Sequence, residues 1–348
     1  MHNSVVADAA PACGRLVAAV DIGTVTSRLM VTRALPDGRF DVLERDAVIT
    51  DLGEGVDASG RLAPQAVERT LQTVGAYAGR VRACAERAGA PVATVCTTTS
   101  AARDAANADA LLEGLVALGL DPQVIPGQTE AALALLGVTA DFAPGRDVLV
   151  ADVGGGSTEL THGGRDGQGR LVQLSGASYQ VGCRRVTERF FAHGGPASPG
   201  EVAAARRFVE GEVARFYAQN AGAANGAELV CVGGTATSLV AIEHALAPYD
   251  PAFVHLRRMS REAVAALTER LLGMGLQERA ALPGLQPKRA GVIAAGALIV
   301  DVLLELGGRD GFTASESDSL TGLLACARAA VEGAQAPIDW LPGVALLG

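Results

Sequence analysis

Apolar residues in this chain fall into short runs that end on an acid or a glycine. Val17–Val31 reads V-A-A-V-D-I-G-T-V-T-S-R-L-M-V, and Val148–Leu160 reads V-L-V-A-D-V-G-G-G-S-T-E-L. Each predicts a buried strand closing at Asp21 or Asp152, a tight turn, then a second strand. The two aspartates lie about 130 residues apart, so each half of the chain opens with the same unit. That repeat predicts two similar α/β domains facing each other across a cleft.

The remaining pattern fills in both halves. Arg39–Ile49 partly alternates and predicts an antiparallel strand, and Gln65–Ala88 sets Val67, Leu71, Val74, Tyr77 and Val81 at helical spacing. Val92–Cys96 predicts a strand, after which Ser100 is expected to cap one helix running to about Leu118. Gln123–Ile125 predicts a short strand, with a helix from Pro126-Gly127 through Leu136. Gly163–Gly169 reads as a hairpin tip and Leu171–Leu174 as its returning strand. Tyr179–Phe191 turns helical after Q-V-G-C-R-R, bringing Arg184 and Arg185 near the cleft. Strand Glu228–Val232 runs into a third Gly-rich loop, V-G-G-T-A-T-S-L. Glu201–Asn220, Met259–Met274 and Leu320–Val331 predict helices, Leu282–Arg289 a loop, and Ala334–Gly348 a Pro-containing tail with the only Trp, Trp340. Ala290–Val300 is apolar throughout but too short to span a bilayer, so it predicts a buried helix.

Composition narrows the class. At 348 residues, 49% hydrophobic and 19% charged, the chain has enough material for two cores and is not of disordered type. A formal charge of −9 argues against nucleic acid as partner, while leaving an anionic substrate open because the local field of the cleft decides. The six cysteines are scattered with no C-x-x-C pair, so no zinc site or disulfide framework is expected, and reduced thiols in a cytoplasm are the default. Met1–Gly14 lacks a basic start and an apolar core, and is expected to be a disordered leader rather than a signal peptide. A-P-A-C ending at Cys13 is similar to a lipidation site, but no apolar run precedes it. No membrane partner is expected.

The turns carry the candidate chemistry. Gly154, Gly155 and Gly156 expose backbone N–H groups, Ser157 and Thr158 add hydroxyls, and Asp152 and Glu159 could hold a hydrated divalent cation or act on a water. Alone, such a turn is as readily a plain hairpin. The repeat around Gly23, Thr24, Thr26 and Arg28 changes that reading, and Gly234 and Thr235 of the third loop could add donors. Arg103 is either an anion ligand or a solvated helix charge. Glu130 lies in a first helical turn, where a carboxylate also favours the positive end of the helix dipole.

Taken in order, D-I-G-T…R-L-M-V (Asp21–Val31), T-S-A-A-R-D-A-A-N (Thr99–Asn107), P-G-Q-T-E-A (Pro126–Ala131), D-V-G-G-G-S-T-E-L (Asp152–Leu160), V-G-G-T-A-T-S-L (Val232–Leu239), Y-D-P…V-H (Tyr249–His255) and L-P-G-L-Q-P-K-R-A…A-G-A (Leu282–Ala297) resemble the exopolyphosphatase and guanosine pentaphosphate phosphatase (Ppx/GppA) family over about residues 15–330. The resemblance implies two ribonuclease-H-like domains of the actin-like ATPase fold. It divides the chain into a leader (1–14), a first domain (15–138), a second domain (147–315), a helix crossing back to the first (316–332) and a tail (333–348). It implies Mg²⁺-dependent hydrolysis of a terminal phosphoanhydride, of polyphosphate first and guanosine pentaphosphate second, in a cytoplasmic homodimer. Glu130 would activate water with the help of Glu159. Asp152 and Glu159 would place Mg²⁺. Gly23, Thr24, Thr26, Arg28, Arg103, Gly154, Gly155, Gly156, Ser157, Thr158, Gly234 and Thr235 would hold phosphate.

Some positions depart from the family. Val25 stands where an Asn is usual, Gln128 and Thr129 where acids are common, and the chain ends before an additional helical region found in longer members. The short architecture favours short polyphosphate. A non-catalytic sensor of phosphorylated ligands and an ATP-dependent kinase are the alternatives from other classes. Retention of both Glu130 and Glu159 weighs against the sensor.

Overall fold

The computed structural model describes residues 15–36, 38–220 and 226–348. The expected leader, with Cys13, lies outside them. Along the first half run strands β1 (Leu16–Ile22), β2 (Thr26–Ala34) and β3 (Phe40–Ile49), helices α1 (Val56–Ser59) and α2 (Pro64–Ala88), and strand β4 (Val92–Thr98). There follow α3 (Ser100–Asp104), α4 (Asp109–Ala117), β5 (Pro122–Val124) and α5 (Gly127–Val138). The second half has β6 (Asp147–Val153), β7 (Thr158–Arg165), β8 (Leu171–Tyr179), α6 (Cys183–Phe190), α7 (Pro199–Asn220), β9 (Glu228–Val232) and α8 (Gly233–Glu243). It continues through α9 (Pro251–Val254), β10 (Arg258–Ser260), α10 (Arg261–Leu272), α11 (Leu276–Ala280), α12 (Ile293–Leu306) and β11 (Gly311–Ala314), ending with α13 (Ser319–Glu332) and β12 (Ala345–Leu347).

The strands form two sheets whose cores repeat one topology. In the first, β3-β2-β1-β4 continues to β5, with β12 also against β4; in the second the order is β8-β7-β6-β9-β11-β10. In both, the opening three strands are an antiparallel meander and the next two are parallel to the first. This is the duplicated ribonuclease-H-like arrangement of the actin-like fold, two domains facing across a cleft.

Helix α5, which carries Glu130, is held between the two sheets. From Ala131 onward its sequence is apolar on every side, as the part of a helix without a solvent face must be. Leu133 and Leu136 pack with β1, β4 and α13, while Ala134, Leu135 and Val138 pack on β6 and β9 of the other sheet. Helix α13 crosses it closely: a Cβ on Gly137 would stand 2.0 Å from the Asp318 carbonyl, and one on Gly322 2.2 Å from that of Leu133. No side chain fits at either crossing point.

Several sequence expectations need correction. The single helix from Ser100 to about Leu118 is two, because Ala106 N–H donates to the Gly60 carbonyl and the Asn107 side chain bonds both N–H and C=O of Leu62. Those long-range bonds hold Ala105 extended, and Ser100 begins α3 without capping it. Gly163 and Gly164 lie within β7, the tip being Asp166–Gly169, and β8 runs on to Tyr179 because it pairs with β7 down to Thr158. Met259 belongs to β10, with Ser260 as the cap of α10. The tail ends as a strand of the first sheet.

Candidate active site

The two opening hairpins share one register. Asp21 stands opposite Arg28 across β1 and β2, and Asp152 opposite Glu159 across β6 and β7. Opposed residues of an antiparallel pair project from the same face. The turns match as well: Gly23 N–H donates to the Thr26 carbonyl at 3.0 Å, and Gly154 N–H to that of Ser157 at 3.1 Å. The turns meet across the cleft, where a Cβ on Gly155 would lie 2.6 Å from Val25 Cγ2. Val25 is buried with Ile49, Cys183 and Val292, an apolar contact between the halves.

Around the turns lies a cavity of about 830 Å³. Gly23, Thr24, Thr26, Arg28, Glu130, Asp152, Gly154, Gly155, Gly156, Ser157, Gly234 and Thr235 are all on its wall. The third loop is the N-terminus of α8, which has no side-chain cap. Its first N–H groups are therefore available to an anion. Three expected ligands are placed differently. The Thr158 hydroxyl is buried and donates to the Val181 carbonyl at 2.5 Å, so it is not a phosphate donor. Arg103 and Glu159 are off the cavity wall. Arg103 Nη1 donates to Glu130 Oε2 at 3.0 Å and to the Ile125 carbonyl at 2.8 Å, while its buried Nη2 has no partner among the described residues.

Arg28 reaches the wall with its charge already matched. Its Nη2 is 2.6 Å from Asp21 Oδ2 and 2.9 Å from Ser319 Oγ, and its Nη1 pairs with Asp318. A further cation went unread in the sequence. Arg289 lies in the loop before α12, over Gly234, and among the described residues its guanidinium makes one hydrogen bond, 3.4 Å long, from Nη2 to Thr26 Oγ1. Burial, then the neighbouring Arg28, push its pKa down, against the pull of Cys183 and Asp51. Lys288 and Arg289 look alike in a P-K-R loop, so nothing local marks the inward one; Asp318 was missed for the same reason.

The acids around the turns shift the opposite way. Burial raises Glu130 to about 7, with Arg103 opposing and Asp152 and Asp21 adding. Asp152 rises to about 7 through burial, opposed by Arg28 and reinforced by Asp318 and Asp21. Glu159 is raised well above the carboxylate range by burial, then by Glu130 and Asp152, against hydrogen bonds from Ser178 and Ser157. Ser178 Oγ donates to its Oε1 at 2.6 Å, and Oε2 is buried without a partner among the described residues.

Such a pair of facing carboxylates is stable when it keeps a proton or faces a cation. Among the described residues no three His, Cys, Asp or Glu side chains form a closed metal set. Mg²⁺ does not require one, since it keeps several waters and takes one or two carboxylates plus substrate phosphates. Asp152 and the orphaned Glu159 oxygen fit that role.

Comparison with known proteins bears on the family and the fold. Residues 31–316 match the Ppx/GppA phosphatase family model. The chain is 34% identical over 340 residues to exopolyphosphatase 2 of Mycobacterium tuberculosis, covering 88% of this chain and 97% of that one. A crystal structure of an exopolyphosphatase-like protein superposes with a TM-score of 0.80 at 31% identity, covering 89% of this chain and 97% of that one. The Aquifex aeolicus member of the Ppx/GppA family gives 0.72 at 27% identity, covering 92% and 99%. Among the described residues no helix is long and apolar enough to cross a membrane.

Proposed function

The chain belongs to the Ppx/GppA phosphatase family, and from that premise we propose that it is an exopolyphosphatase, releasing orthophosphate from the end of inorganic polyphosphate. The observation that carries this reading is Glu130, a carboxylate only 14% exposed and raised to about 7 chiefly by burial, on the wall of a cavity that the Gly-rich turns also line. A general base works best when its pKa lies near the working pH.

Phosphoryl transfer asks the protein for positioning and charge neutralisation more than for covalent chemistry. The terminal phosphate would rest on the N–H groups of Gly154–Ser157 and of the Gly23–Thr24 turn, with the start of α8 and Arg289 neutralising the following phosphates. Glu130, oriented by Arg103, takes the proton of the attacking water, and Glu159 supports it from the next strand. Mg²⁺, held by Asp152 and Glu159, would supply neutralisation of the phosphoryl oxygens.

One observation favours guanosine pentaphosphate as a second reading. The cavity continues past the turns along Leu246, Pro248, Tyr249, Leu282 and Leu285, an apolar wall that a polyphosphate tail does not need. Phosphate release measured with Mg²⁺ on short polyphosphate, long polyphosphate and guanosine pentaphosphate ranks the substrates. Release from polyphosphate that vanishes in Glu130→Ala supports the proposal, and measurable binding without release in the wild type moves the sensor reading forward.

A further inference from the structure

Beside the cavity, an ion-pair cluster joins the two halves of the chain. Arg184 pairs with Asp51, and Arg185 with Asp57 and, at 2.6 Å, with Asp104. Arg189 Nε is 2.5 Å from Asp57 Oδ2, and Glu188 Oε1 accepts from Gly55 N–H at 3.0 Å. Asp51, Asp57 and Asp104 belong to the first half, and their arginine partners Arg184, Arg185 and Arg189 sit on α6 of the second, where Arg184 Nε also lies 3.9 Å from Glu188 Oε1.

Both ends of this cluster are fastened to an anion-binding turn. On the first side, Thr50 and Asp51 N–H each donate to the Val25 carbonyl at 3.0 Å, and Gly53 N–H to that of Thr24 at 2.8 Å. On the second, Cys183 N–H donates to Gly154 and Arg184 N–H to Gly155, both at 2.9 Å, and Arg185 Nε reaches the Gly156 carbonyl at 2.9 Å. The cluster therefore links first turn, Thr50–Ser59, α6 and second turn in one chain of bonds. No member of it lies between the turns, where phosphate would sit.

We propose that this cluster is a strap that sets how closely the two turns approach, with Arg185 as the positioning residue through its bond to Gly156. The inference rests on the hydrolase reading only in calling the turns phosphate loops. Parting the halves requires the pairs to break, and partly exposed pairs weaken as salt screens them. The strap thus makes cleft closure sensitive to ionic strength and to the charges at Asp51, Asp57, Asp104, Arg184 and Arg185.

The test is a cross-cleft distance, read by electron–electron double resonance between labels at Glu68→Cys and Arg207→Cys in a Cys13→Ser chain. At about 0.15 M salt the parent gives a short separation, which lengthens at about 1 M, where the screening length falls to about 3 Å. Asp57→Asn with Asp104→Asn, and Asp51→Arg and Arg184→Asp singly, give the longer separation at the lower salt. Asp51→Arg with Arg184→Asp restores the short one, and phosphate release recovers with it. Unchanged distances in the variants, or a charge swap that fails to restore the parent distance, overturn the strap. Should a variant not fold, the salt dependence of the parent still decides: no lengthening at high salt overturns it. Distances that respond as expected in a protein releasing no phosphate leave the strap standing and remove the hydrolase reading.

Discussion

In the first hairpin Asp21 faces Arg28; in the second, at the same register, Asp152 faces Glu159. The first pair is closed: Arg28 is shared with Asp318, and Thr97 Oγ1 donates to Asp21 Oδ1 at 3.1 Å. The second is open, with a Glu159 oxygen left unpartnered among the described residues and both acids pushed up by burial, Asp152 then by Asp318 and Asp21, Glu159 by Glu130 and Asp152. A folded chain keeps an uncompensated buried charge only where something else compensates it. One exchange of charge sign between two copies of a hairpin thus separates a matched pair from an unmatched one.

The largest way to break that contrast is to neutralise the open pair. Glu159→Gln should lower phosphate release by roughly 10² to 10⁴ while leaving denaturant stability in the absence of Mg²⁺ unchanged or higher. A matching loss of stability would place Glu159 among structural residues. Breaking the closed pair should act in the opposite sense. Arg28→Met leaves Asp21 and Asp318 buried without their cation and should cost about 3 kcal/mol, the low end for a buried pair because Arg28 is a fifth exposed. Urea denaturation reads this, and a loss below about 0.5 kcal/mol, ordinary for a surface substitution, would contradict the matched pair.

A smaller effect sharpens the contrast through pH. Asp152 holds its proton to higher pH folded than unfolded, so the native state binds more protons and stability falls as pH rises from the ordinary 3.8 to about 7, then levels. Measured without Mg²⁺, the wild type should lose stability across that window, and Asp152→Asn should lose less. Adding Mg²⁺ should stabilise most at the upper end, where the acids are ionised. A slope unchanged in Asp152→Asn would detach the pair from the titration.

Much of this was legible in the sequence because the turns announce themselves. An apolar run ending in Asp, then glycine and hydroxyl residues, fixes strand, turn and exposed N–H groups locally, and its repetition gives the second half. The place of Glu130 in a first helical turn was readable from Pro126-Gly127, while its proposed role came from the family resemblance. What was not legible depends on contacts between distant segments. Thr158 resembles Ser157 in sequence, yet strand alternation turns it toward Val181. The break between α3 and α4 comes from Gly60 and Leu62, more than 40 residues earlier in the case of Asn107 and Leu62. The meeting of Val25 with Cys183 and Val292 exists only once the halves are together.

In the proposed reaction Glu130 is the base, its pKa raised by burial and by Asp152 and Asp21 against the pull of Arg103. The pH dependence of kcat/KM for wild type and Glu130→Gln tests it most directly. The wild-type rate should rise with pH through a limb near 7 that is absent from the residual activity of the variant. The same acidic limb in both would contradict it.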